Sequence, residues 1–133
     1  MKNNRAIRWY EPSKYRNEKT EVDGIVFDSR KEANRYRELK MLEKAGEISD
    51  LRLQVKYELI PAQYEMGTRI QGSKVQTVER CVERAVNYVA DFVNKDNMTE
   101  ETVVEDVKGM KTEVYKLKKK LLRWRYGIEI KEV

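Results

Sequence analysis

Two short runs carry the acids that could do chemistry: Tyr88-Val89-Ala90-Asp91-Phe92, and Val104-Glu105-Asp106-Val107-Lys108-Gly109. Both read as strands, and residues two apart in a strand share a face. Asp106 and Lys108 are then expected to point the same way, with Glu105 opposite. If the two strands pair as a hairpin, Asp91 lies beside Asp106, giving an Asp, Asp, Lys cluster on one sheet face. Carboxylates without histidine or thiol form a hard oxygen site of the kind Mg²⁺ or Mn²⁺ takes. The plainer reading is an ordinary same-face strand pair. Against it, Val103, Val104 and Val107 imply a mostly buried strand, where charge needs a reason. A β-bulge would put Glu105 in place of Asp106.

Composition narrows the chemistry further. The 133 residues include no histidine, which removes Ser-His-Asp triads, imidazole acid–base catalysis and HExxH zinc sites. One cysteine, Cys81, leaves no zinc ribbon, Fe–S cluster or internal disulfide, and points to a reducing compartment such as the cytoplasm. No apolar run approaches the ~18 residues of a membrane span, and no signal-peptide pattern opens the chain. No partner membrane or small-molecule cofactor is expected.

The net charge of +5 is unevenly spread: residues 108–125 carry +7, residues 1–20 carry +4 and residues 21–107 carry −5. Basic ends around an acidic centre suit a protein that grips a polyanion at its rim and a cation at its centre. A solvated charged helix would look the same.

The elements that must position these residues follow from local signals. Residues 1–19 read as a basic arm and 20–133 as a single α/β domain. Asp23-Gly24 between β-formers predicts a hairpin over 21–27. Ser29 and Glu32 form a capping-box pattern opening a helix that runs to about Ala45, with Gly46 as its stop. A strand is expected from Val55 to Ile60, ended by Pro61. Residues 63–80 read as a loop or hairpin extension. Strands then follow over Val82–Val93 and Val103–Lys108, a helix over 112–126, and a last strand over Ile128–Val133. On that second helix Val114, Leu117, Leu121 and Trp124 stand at helical spacing for a core face, and Tyr115, Leu122 and Trp124 are expected in the core rather than as base-stacking platforms. Lys116, Lys119, Lys120 and Arg123 form the opposite stripe, for phosphate binding or for solubility alone.

This order of elements, with Asp91 on one strand and Asp106-Val107-Lys108 on the next, resembles the PD-(D/E)xK nuclease superfamily. Ala90 stands where the family name has proline. Glu32 matches an acid that many members carry on the first helix, although a capping role alone would also explain it. Residues 20–50, 88–92 and 103–121 look more narrowly like a phage and prophage family of small endonucleases related to Holliday-junction resolvases. The resemblance implies a restriction-endonuclease-like core, with a mixed sheet flanked by helices. It implies a Mg²⁺-dependent endodeoxyribonuclease serving phage recombination, replication or packaging, acting in the host-cell cytoplasm if phage-encoded.

In that reading Asp91, Asp106, Glu32 and the Val107 carbonyl hold Mg²⁺ or Mn²⁺, and Lys108 orients or helps deprotonate the attacking water. Lys111, Lys116, Lys119, Lys120 and Arg123 would contact DNA, and a homodimer would favour branched DNA. No sequence-reading element is evident, so weak sequence preference and steep salt dependence are expected. Three alternatives stay open: a non-catalytic nucleic-acid-binding module on the same fold, a general nuclease or nickase, and a carboxylate-only nuclease of another fold.

Overall fold

The computed structural model describes residues 18–133, so nearly all of the expected basic arm lies outside the described residues. The chain divides into two compact units, Met1–Glu38 and Leu39–Val133.

In the first unit, β1 (Thr20–Val22) and β2 (Ile25–Phe27) form the expected antiparallel hairpin. Asp23 and Gly24 both take positive φ, 53° and 75°, as a type I′ turn requires. Helix α1 (Arg30–Lys44) opens where Ser29 Oγ accepts the Glu32 N–H at 3.1 Å. Phe27 and Tyr36 are buried, their ring centroids 5.0 Å apart.

The second unit begins within α1. The helix closes with a Schellman arrangement: Gly46, at φ 77°, donates to the Glu43 carbonyl and Glu47 to that of Leu42. There follow β3 (Ile48–Ile60), β4 (Gln63–Gln71), β5 (Lys74–Glu83), β6 (Val86–Asp96) and β7 (Thr102–Asp106). Helix α2 (Glu113–Tyr126) and β8 (Lys131–Glu132) complete the unit. The main sheet has the order β3-β6-β7-β8, antiparallel except for the β7–β8 pair. Parallel neighbours need a crossover, and α2 is that crossover. The architecture is α/β with a mixed sheet and helices. Its core gathers Leu59, Tyr88, Ala90, Val93, Val104, Tyr115, Leu122 and Ile130.

Several boundaries differ from the sequence expectation. β3 starts at Ile48, seven residues before Val55, because its apolar residues alternate with charges from Asp50 onward and pair along most of β6. Val82 belongs to β5, and β6 starts only at Val86. Residues 63–83 are a hairpin, with one register shift between Gln63 and Tyr64, in which Gly67 sits within a strand and Gly72, at φ 64°, is in the turn. β7 ends at Asp106, which leaves Val107 and Lys108 beyond it. The last strand is two residues long.

Helix α2 is capped by Thr112, whose Oγ1 accepts the Tyr115 N–H, and by Gly127 at φ 66°. Its buried stripe is Tyr115 and Leu122. Leu121 also packs on the core, but Val114, Leu117 and Trp124 are 63%, 58% and 80% exposed, so most of the expected apolar stripe is turned outward. The helix is rotated by about one position, because Tyr115 supplies a larger apolar body than Val114 and Lys118 can lay its stem along the protein.

Candidate active site

The β6–β7 pairing runs from Lys95↔Thr102 to Phe92↔Glu105. One residue further along each strand stand Asp91 and Asp106. There a side chain replaces the backbone ladder: the Val107 N–H donates to Asp91 Oδ2 at 2.9 Å. Asp91 thus holds the segment leaving β7 and fixes the backbone between Asp106 and Lys108.

Asp106 is 1% exposed. Its Oδ2 accepts the Tyr88 hydroxyl at 2.6 Å and lies 3.2 Å from Lys108 Nζ. A buried carboxylate without partners would be costly, and these two make it tolerable. The Lys108 ammonium also sits 4.4 Å from the centroid of the Tyr115 ring, a cation–π contact. Burial first, then the hydrogen bond to Asp106, hold the Tyr88 phenol well above the usual tyrosine range; the Asp91 charge adds to this. Tyr115 is raised too, by burial and by the charge of Glu132.

The structure therefore brings Asp91, Asp106 and Lys108 to one place, at the end of the β6–β7 ladder. It corrects the reason. Lys108 does not meet Asp106 by strand alternation, since both it and Val107 lie past the strand; the Asp91–Val107 bond positions that turn. Glu105 is buried as well, but no register shift interrupts the pairing, and its Oε1 lies 3.7 Å from Lys131 Nζ. Glu32 is buried in α1 within the first unit, and its N–H is taken by Ser29. Its assignment as a metal ligand rests on the resemblance alone.

Two contributors escaped the sequence. Tyr88 reads there only as part of an apolar alternation, although a buried tyrosine needs a hydroxyl partner, and Asp106 is that partner. Gln54 sits within β3 at φ 52°, a left-handed conformation rare for such a residue, and its Nε2 lies 3.4 Å from Asp91 Oδ1. No sequence signal marks it.

Among the described residues no three histidine, cysteine, aspartate or glutamate side chains converge as a metal group. Mg²⁺, however, commonly takes one or two carboxylates and keeps several waters. Asp91 and Asp106, with a backbone carbonyl between Asp106 and Lys108, are a donor set of that kind.

Of the expected DNA-contacting residues, Lys116, Lys119, Lys120 and Arg123 line a surface groove of about 610 Å³ on α2, together with Glu113 and Leu117; Lys111 lies outside it. Several of these cations are already answered. Glu132 receives both Lys111 and Lys119, which hold its carboxyl down to about 2, and Lys116 lies 3.1 Å from Glu113.

A mixed α/β sheet with two acids and a lysine at a strand end is thus the class that fold and site define. Residues 12–132 match the family described as Protein of unknown function (DUF1064), and the chain belongs to that family. Comparison with curated proteins and with solved structures finds no match.

Proposed function

We propose that the protein is a Mg²⁺- or Mn²⁺-dependent DNA endonuclease on a restriction-endonuclease-like core, acting as a homodimer with preference for branched DNA such as Holliday junctions. The observation that carries this reading is the Lys108 ammonium, 3.2 Å from the buried Asp106, on a turn held by Asp91. Asp91, Asp106 and the Val107 carbonyl would hold the cation. When bound, it supplies an acidified water and offsets the charge building on the phosphate.

The chain's own groups do the rest. Lys108 orients the attacking water and offsets the charge building on the phosphate, and Asp106 and Tyr115 fix where that ammonium sits. Tyr88 holds Asp106 in one rotamer. The α2 cations grip flanking phosphates, positioning the strand without reading it.

Cleavage of plasmid and of four-way junctions with and without Mg²⁺ tests the reading. Asp91→Ala and Lys108→Ala are each expected to abolish metal-dependent cutting while DNA still binds, with Asp91→Ala binding as tightly or more tightly because a repulsive charge is gone. An Asp91→Ala protein that cuts at the wild-type rate removes the assignment.

A further inference from the structure

The β4–β5 hairpin is not absorbed by that site. It is a separate two-stranded sheet whose strands, among the described residues, pair only with each other. Every residue in it is exposed except Gly67 and Val78, which are half-buried. An isolated ribbon of this kind is marginal in water, so its retention needs a partner or a task.

The register separates its two faces. Arg69 is opposite Gln76 and Gln71 opposite Lys74, so these four side chains share one face next to the tip. Thr68 is opposite Thr77 and Ile70 opposite Val75, so the other face is apolar and hydroxylic. Acids are confined to the base: between Glu65 and Glu79 the chain has none, while Arg69 and Lys74 give the tip two positive charges. At the base Arg80 answers Glu65 at 3.6 Å, but no carboxylate among the described residues answers Arg69 or Lys74.

We infer that β4–β5 is a DNA-reading ribbon that enters the major groove, its Arg69/Gln71/Lys74/Gln76 face toward the base edges and phosphates. This rests on the DNA-directed reading above and extends it to a part of the chain with no role there. The major groove, about 12 Å wide, admits a two-stranded ribbon. Arginine pairs with guanine, and glutamine with adenine, through two hydrogen bonds each, whereas lysine suits phosphate. The ribbon's nine-residue strand is about 30 Å long, and it leaves the main sheet where Val86 pairs with Ile60, about 17 Å along β6 from Asp91. Duplex engaged at Asp91 lies within its reach. The expectation of weak sequence preference is thereby reversed.

Binding of the full chain to labelled duplexes of varied sequence, in EDTA so that nothing is cut, tests this. Arg69→Ala with Lys74→Ala is expected to weaken binding on the order of tenfold and to lower the salt slope by about 0.9, for the one phosphate that Lys74 no longer neutralises. Gln71→Ala with Gln76→Ala is expected to flatten the preference among sequences and leave the slope unchanged. Ile70→Thr with Val75→Thr, on the opposite face, should bind as wild type, which controls for loss of the hairpin itself.

Wild-type affinity, slope and preference in both polar-face variants would overturn the ribbon. So would a result in which only the Ile70/Val75 variant changes, turning a dimer into a monomer, since the hairpin's partner would then be a second copy of the chain. Cleavage untouched by every ribbon substitution leaves the nuclease and removes the ribbon. Ribbon-dependent binding by a protein that never cuts does the reverse.

Discussion

Asp106 is held from two sides by groups of different kind. The Tyr88 hydroxyl donates to it at 2.6 Å inside the core, and the Lys108 ammonium approaches from the edge at 3.2 Å. Tyr88→Phe removes the inner donor and leaves a buried carboxylate oxygen underserved, at a cost of about 1–3 kcal/mol. Urea denaturation at neutral pH is expected to show that loss. The same substitution changes the alkaline limb. Tyr88 has a raised pKa in the folded chain, so its contribution is fully present below the ordinary phenol value near 10 and drains away above it, as the unfolded chain ionises first. Stability measured above about pH 10 should fall less steeply for Tyr88→Phe than for wild type. At this scale Asp91, Asp106 and Lys108 were legible because acids and a lysine among valines ask for an explanation. Tyr88 and Gln54 were not, since a tyrosine among apolar residues looks like core and a glutamine carries no mark of positive φ.

Among the elements, β8 is tied in by charge as well as by its ladder. Its two residues pair with β7, and Glu132 draws Lys111 and Lys119 onto it. The Glu132 carboxyl is held at about 2 by those lysines, below the usual carboxylate value. A depressed pKa of this kind gives stability that is present above about 4.5 and lost as pH falls toward 2. Acid titration of the fold should therefore lose part of its drop between pH 4.5 and 2 in Glu132→Gln. The cations of α2 are expected to supply affinity. Replacing Lys116, Lys119 and Lys120 together should lower the salt slope by about 0.9 for each phosphate they had neutralised. An unchanged slope returns the stripe to a solubilising face.

Turn chemistry placed the first hairpin and both helix ends, where Asp23-Gly24, Gly46 and Gly127 have backbone reasons that the sequence states openly. Strand limits were harder. Polar and apolar residues alternate through β3 and along much of the β4–β5 hairpin, and alternation alone does not tell a half-buried strand from a ribbon in water. On α2 the expected core positions Tyr115 and Leu122 are buried and Leu121 packs on the core, whereas Val114, Leu117 and Trp124, drawn inward by apolarity alone, are exposed.

For the whole molecule, the described residues include no helix long and apolar enough to cross a membrane. The uneven charge of the chain, acidic in its middle and basic from 108 to 125, suits a cation-dependent site beside a phosphate-binding rim. A four-way junction presents two symmetry-related strands, and a two-fold dimer can offer one site to each. The protein is therefore expected to sediment as a dimer at micromolar concentration and to cut junctions in preference to linear duplex of equal length. A monomer that degrades both alike would leave a general nuclease.

The backbone behind Asp106 has a further property. Its carbonyl accepts the Val133 N–H at 3.0 Å, and residue 132 is its partner across the parallel ladder. The acid is thus backed by residues more than twenty positions later in the chain, beyond α2. A nascent chain whose β8 is still in the ribosome has the acids and the lysine but not the strand that steadies them. A protease that clips between Gly127 and Lys131 returns the protein to that condition. Either way, the geometry around Asp106 depends on a strand from which the site takes no side chain.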